Sequence, residues 1–359
     1  MTEQGVLPDH KISALIAAGS IGAQQPIDED QVQPASLDLR LGDRAYRVRA
    51  SFLAGRSRTV SERLAEFTMH QIDLRDSAVL EKGCVYLVPL MEHFALPADV
   101  SGAASAKSSI GRLDLLTRII TDNGTEFDRI PAGYSGPLYA EICPRSFSVV
   151  VAPGLALTQV IFRLGQTLIS DAELRQIHAR TPIVDATPHI AQGLGFSVDL
   201  KPAKGTLVGY RAKPHTGIID LRKLGHYAPA DFWEELHSSD GHIILDPGAF
   251  YILVSREAIA IPPDCAAEMA PYLAMVGEFR VHYAGFFDPG FGYSPAGGAG
   301  SRGVLEVRCH EAPFVLEHGQ VVGRLVYEHM AGTPARLYGQ DIKSNYQGQG
   351  LKLSKHFRN

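Results

Sequence analysis

The run AKSSIGRLDLL at residues 106–116 sets a cation, two hydroxyls and a second cation close together. Ser108 and Arg112 stand four apart and share one face of a helix, while Ile110, Leu113 and Leu116 repeat at helical spacing. Backbone N–H groups left free at the start of such a helix, together with Lys107 and Arg112, make an anion site, and phosphate is the natural guest. The run is not the GxxxxGK[ST] loop of nucleoside triphosphatases. Its plain structural alternative is a Ser-capped surface helix with a solvated Arg.

Downstream, after the turn signals Asn123-Gly124 and PAGYSG, the strand LYAEICP carries Glu141 among apolar neighbours. A carboxylate on a largely buried strand must be paired or functional, and Arg112 and Arg145 are its candidate structural partners. A matching strand, SRGVLEVRCHE, follows Asp288-Pro-Gly-Phe-Gly292 and carries Glu306 and Arg308. Glu141 is the preferred functional carboxylate, because it shares a half of the chain with the Ser-Ser-Arg run. Glu306, on the matching strand of the other half, is the alternative. Where the anion run should recur, the chain reads AAEMAPYLAMVG, with neither the Ser pair nor the Arg.

Neither the fourteen histidines nor the four cysteines form a spacing expected of metal ligands, so no metal site built from protein side chains is expected. His282, in FRVHYAG before the Asp288 turn, is the histidine placed nearest to this chemistry. A formal charge of -5 without a long basic run excludes an electrostatic nucleic-acid binder. No apolar run approaches the ~20 residues that span a bilayer, and MTEQGVLPDHKIS lacks a signal-peptide pattern. A soluble, cytoplasmic protein is expected.

The elements that must position these residues are written twice. SLDLR at 36–40 and SVDLK at 197–201 each precede a Tyr-Arg strand and then an Ile-Asp-Leu, at 72–74 and 219–221. CVYLVPLMEHFALPADV parallels AFYILVSREAIAIPPDC, and FSVVVAPGLALTQVIFRLG parallels FVLEHGQVVGRLVYEHM. Short β-branched and aromatic runs between Pro and Gly turns predict antiparallel sheets, in two jelly-roll-like halves. Short helices are expected at HKISALIAAG, capped by Asp9 and stopped by Gly19, at SDAELRQIHAR between the halves, and at PADFWEELH. In the last, Trp233 is expected to anchor the second half's core. The division is 1–165, a helical connector and linker at 166–192, and 193–359.

QVQPASLDLRLG, AKSSIGRLDLL, the PAGYSG turn, Glu141 on its strand and the tail NYQGQGLKLS together resemble the dCTP deaminases of the dUTPase-like superfamily, in a tandem, double-length form. The resemblance covers nearly the whole chain. It implies a mainly β fold of two dUTPase-like domains (β-clip or jelly-roll-like) with a few short helices, in a homo-oligomer with shared active sites. The implied reaction is hydrolysis of dCTP to dUTP and ammonia, supplying dUTP for thymidylate synthesis. Lys107, Ser108, Ser109 and Arg112 would bind the triphosphate and position water, Glu141 would shuttle protons, and Tyr338, Lys343, Tyr346, Gln347 and Gln349 would close over the nucleotide.

Mg²⁺ would enter on the triphosphate oxygens, and the H-x-E and P-C-x-x-C pattern of zinc deaminases is missing. Lys107 departs from the family's usual Arg. A dUTP pyrophosphatase, or a bifunctional enzyme, is the nearest alternative, with Asp128 out of register in FDRIPAGYSG where that chemistry has G-x-I-D-x-D-Y-x-G. A non-catalytic deoxynucleotide-binding protein is the third reading.

Overall fold

Alternation along the strands decides which side chains are buried together. In Ser135–Pro144, Leu138, Ala140 and Ile142 enter one core, while Tyr139 and Glu141 turn to the opposite face of the sheet. The computed structural model describes residues 4–270, 279–282, 285–340 and 346–358, with Phe279, Arg280 and His282 described by their backbone alone. The fold is mainly β, with two domains of the same plan.

In half one, Leu37–Arg40 and Gly5–Val6 pair with Ala156–Leu164, which continues through Val100–Ala106 to Arg129–Ile130. Its second sheet runs Thr68–Asp73, Arg44–Val48, Val85–Ala95, Ser135–Pro144, Leu115–Thr121. Half two repeats both orders. Leu194–Ser197, Val321–His329, Cys265–Met269 and Phe286–Phe287 form one sheet, and Trp233–His237, Leu207–Ala212, Phe250–Ile259, Ser301–Cys309 and Phe279–His282 form the other. A two-stranded ribbon recurs too, Ala78–Leu80 with Val149–Val151 and His242–Leu245 with Phe314–Glu317. The duplication read from three sequence blocks is therefore a duplication of strand order.

One of those block matches was not structural. Thr68–Asp73, with its Ile72-Asp73, occupies the place held in half two by Trp233–His237, since each pairs with the strand before it. Ile219–Asp220 instead lies in the connection before Trp233 and adds a parallel strand to the half-one ribbon, Ile219 opposite Val149. The helices also differ from expectation. Asp9–Ala17 starts after Pro8, and the Asp9 carboxylate accepts from the backbone N–H groups of Ala335 and Arg336 instead of capping. Asp171–Arg180 is the helix expected between the halves, and Ser170 caps it. PADFWEELH splits into a single turn, Pro229–Phe232, and the strand Trp233–His237. Among the described residues, no helix is long and apolar enough to cross a membrane.

Trp233 does not anchor half two alone. Its ring lies 5.3 Å from Phe147, 5.9 Å from Phe357 and 6.1 Å from Phe250, between half one, the C-terminus and the half-two sheet. Phe250, Ile252 and Val304 of that sheet belong to the same apolar cluster as the half-one core. Buried ion pairs cross the junction: Arg163 holds Glu328 at 2.6 Å and Glu268 at 2.8 Å, and Arg308 pairs with Asp114. Trp233→Ala is expected to destabilise the protein by about 3–5 kcal/mol, seen as a lower urea midpoint by far-UV circular dichroism. In the wild type the fluorescence of this single Trp should report the loss of the junction.

Candidate active site

Half two's sheet meets half one around a cavity of about 550 Å³, a volume suited to a small ligand. Lys107, Ser108, Ser109 and Arg112 line it from half one, and Glu306, Tyr338, Tyr346 and Gln349 from half two. The anion run forms one helical turn, Ser108–Gly111, with Lys107 in the cap position, and Leu115–Thr121 is already strand. The longer helix expected from Ile110, Leu113 and Leu116 is absent, so the cations bring most of the positive charge.

Arg112 is fixed on every side. Its guanidinium lies 3.9 Å from the Tyr346 ring centroid, Nη1 donates to the Lys352 carbonyl at 3.0 Å, and Nη2 donates to Gln349 Oε1 at 2.9 Å. Nε makes no hydrogen bond among the described residues and stands 3.9 Å from Glu306 Oε1. Glu306 is 6% exposed on Ser301–Cys309. Burial pushes its carboxyl up to about 8, against the opposing pull of Arg112.

Glu141, the carboxylate preferred from sequence, is not among the residues lining this cavity. It pairs with Arg118, directly across the strand register, at 2.5 Å to Nη2 and 3.2 Å to Nε. Neither Arg112 nor Arg145 is the partner found. Phe52, Val60 and Leu64, from the segment 49–67, pack on that face of the sheet with Leu87, Ile120 and Tyr139. Asp128 is placed elsewhere too, its Oδ1 accepting from the Ile119 N–H at 2.7 Å.

Gln347 likewise serves the fold: Oε1 accepts from Gly292 N–H at 2.9 Å and Nε2 donates to the Gly290 carbonyl at 3.1 Å. It thereby holds the turn that carries Asp288. Gly292 has φ of 64°, and a Cβ there would lie 2.0 Å from the Ile259 carbonyl oxygen, so no side chain fits. Lys343 lies outside the described residues. His282 is opposite Glu306 in register.

Five charged cavity residues escaped the sequence reading, Asp30, Asp38, Asp288, Arg336 and Lys355. Asp38 forms an ion pair with Lys107, Lys355 enters from the tail, and Asp288 comes from the turn before the Glu306 strand. Asp38 and Asp288 stood inside quoted motifs, SLDLR and the Asp-Pro-Gly turn, but were read as family signature and punctuation, and Lys355 lies one residue past the quoted tail NYQGQGLKLS. Burial raises Asp38, offset by Lys107 and Lys355. Burial pushes Asp288 up to about 7, and the Asp38 charge adds to it.

Because Glu306 titrates near 8 when folded and near 4.5 as a free side chain, the native state keeps a proton that the unfolded chain has released. Its contribution to stability therefore falls as pH rises through that window. Glu306→Gln should raise the Tm relative to wild type at pH 8 and change it less at pH 5, as scanning calorimetry at both pH values would show.

Comparison with known proteins gives a consistent set of matches. Residues 3–166 match the family model for the 2'-deoxycytidine 5'-triphosphate deaminase (DCD) N-terminal domain, and residues 170–357 match that for the C-terminal domain. The crystal structure of 2'-deoxycytidine 5'-triphosphate deaminase from Agrobacterium tumefaciens is 55% identical, covering 91% of this chain and 99% of that one, with a TM-score of 0.88. The dCTP deaminase, dUMP-forming, of Corynebacterium kroppenstedtii is 37% identical over 112 residues, 31% of this chain and 59% of the relative. The dUMP-forming dCTP deaminase of Corynebacterium glutamicum (strain R) is 30% identical over 159 residues, 43% of this chain and 78% of the relative.

Proposed function

The chain belongs to the 2'-deoxycytidine 5'-triphosphate deaminase family, and from that premise we propose that it hydrolyses dCTP to dUTP and ammonia with Glu306 as the proton shuttle. The observation carrying this assignment is the placement of Glu306, buried and 3.9 Å from Arg112, in the cavity that holds the Lys107-Ser108-Ser109 run. Lys107, Arg112 and Lys355 then meet the triphosphate, with Ser108 and Ser109 donating hydroxyl hydrogen bonds. Mg²⁺ arrives with the substrate, on its phosphate oxygens.

At the base, ionised Glu306 takes a proton from water as the oxygen attacks C4, and passes it to N3 as the tetrahedral adduct forms. A second proton from the adduct hydroxyl reaches the amino nitrogen by the same carboxyl. Collapse to the C4 carbonyl then expels ammonia. Burial keeps most Glu306 protonated near neutral pH, and the first transfer uses the ionised fraction, which Arg112 beside it enlarges. The cavity's titratable groups are carboxyl, amino, guanidinium and phenol, with neither His nor Cys among its described lining residues. That donor set suits a proton shuttle and does not fit the His/Cys zinc site of other deaminases. The site is drawn from both halves of one chain, so a single chain supplies clamp and carboxylate together.

Glu306→Gln is expected to lower ammonia release from dCTP by about 10²–10⁴-fold while still binding dCTP. Glu141→Gln should keep deamination within about threefold of wild type and lose stability by about 1–3 kcal/mol, as the half-buried Arg118 loses its charged partner. Loss of ammonia release in Glu141→Gln, with Glu306→Gln active, would reverse the assignment.

The dUMP-forming names of the two Corynebacterium relatives favour one second reading, in which dUTP is hydrolysed further to dUMP and pyrophosphate. Ammonia and pyrophosphate followed separately during dCTP turnover distinguish the two. Ammonia alone supports simple deamination, and equal yields of both support the bifunctional enzyme.

A further inference from the structure

The cavity's carboxylates match its cations in number, with Asp30, Asp38, Asp288 and Glu306 set beside Lys107, Arg112, Arg336 and Lys355. An arriving triphosphate brings several negative charges to this balanced set. Each carboxylate left ionised beside it opposes binding.

Lys107, the first cation of the clamp, is already engaged: its Nζ donates to Asp38 Oδ2. Asp38 Oδ1 and Asp288 Oδ1 are both buried without a hydrogen bond among the described residues. The charged groups that act on Asp38 are Lys107, Lys355 and Glu92. Glu92 is itself neutralised, accepting from Arg40 Nε at 2.8 Å and from Gln31 Nε2 at 3.0 Å. Asp288 meets the charges of Asp38 and Lys107, and the Ala35 N–H donates to its carboxylate. Tyr338, on the tail side, feels the Asp288 charge in turn. If Lys107 moves to a phosphate oxygen, Asp38 and Asp288 are left as two like charges in a desolvated wall with Lys355 as their remaining cation. Phosphate competes for that cation too.

We propose that Asp38 is a positioning residue that holds Lys107 in the free enzyme and surrenders it to the substrate triphosphate, and that the Asp38–Asp288 pair takes up a proton from solvent as Lys107 leaves. This rests on the reading of the cavity as the dCTP site. Lys107 trades one oxygen partner for another, the proton comes from buffer, and no bond of the nucleotide changes. The free enzyme thereby keeps its Lys107 ammonium partnered and pre-placed, and binding neutralises the carboxylates that would repel the substrate.

The test is calorimetric titration of α,β-imido-dUTP into full-length Glu306→Gln, which removes the titration of Glu306 itself. Buffers of different ionisation enthalpy at pH 7.5 give the number of protons bound. Uptake of between about half and one proton per nucleotide is expected, with affinity falling up to about tenfold between pH 7 and pH 8. Adding Asp38→Asn should cut the uptake below about a third of that value and flatten the pH dependence. Lys107→Met in the same background should do the same, and carries the test if the Asp38 variant fails to fold. Unchanged uptake in both variants, no uptake in the parent, or no binding of the nucleotide would overturn the proposal. Ammonia release from dCTP by the wild type is measured independently, so deamination without proton uptake would remove this coupling and leave the functional reading standing.

Discussion

Burial of one face of the half-two sheet against half one is the constraint on which the site depends. Val304 on that face joins the half-one core, and Glu306, two residues on, must point the same way because side chains alternate along a strand. Leu305 and Val307 fill half two's own core from the other face. A slip of one residue in register would exchange the two sets and send Glu306 into an apolar interior. Packing thus fixes the carboxylate's direction, and the desolvation that comes with it raises its proton affinity to about 8. The site's chemistry and the junction's stability are set by the same contact.

The two halves keep one strand order and use one connection differently. In half one, the segment 49–67 folds back over its own sheet, where Phe52, Val60 and Leu64 make a small core and Arg118 meets Glu141. In half two, the corresponding segment 213–232 reaches across, adding Ile219–Asp220 to the neighbouring ribbon and setting Phe232 5.7 Å from Phe147. One carboxylate is consequently covered and ion-paired by its own half. The other is buried against its neighbour and faces a cation clamp. Loop use, rather than strand order, separates a structural glutamate from a candidate catalytic one.

This is also why the sequence carried the reader only part of the way. Two β halves, the clamp residues Lys107, Ser108, Ser109 and Arg112, and both candidate glutamates were legible, since repeat spacing and residue type are local properties. The choice between Glu141 and Glu306 was not, because it turns on which surface covers each sheet face. Same-half proximity in sequence favoured Glu141, whereas the cross-strand Arg118 and the packing of 49–67 are tertiary facts. Asp38, Lys355 and Asp288 were missed for a related reason. Nothing in a single block shows that three distant blocks share one wall. Ile219-Asp220-Leu221 misled by composition, matching Ile72-Asp73-Leu74 in letters but lying in the preceding connection.

The tail changes meaning once the geometry is known. The resemblance implies that it closes over a nucleotide, yet much of what it does here is to hold the clamp from behind. Tyr346 lies against the Arg112 guanidinium, Gln349 and the Lys352 carbonyl accept from its two Nη groups, and Ser354 Oγ donates to the Ser109 carbonyl at 2.7 Å. Phe357 anchors this segment beside Trp233. With both Nη groups committed, Arg112 has little rotational freedom to lose on binding, and its Nε, which makes no hydrogen bond among the described residues, remains near Glu306. A guanidinium restrained in this way presents preorganised charge to the cavity beside Glu306. The C-terminal segment is therefore part of the cavity wall itself.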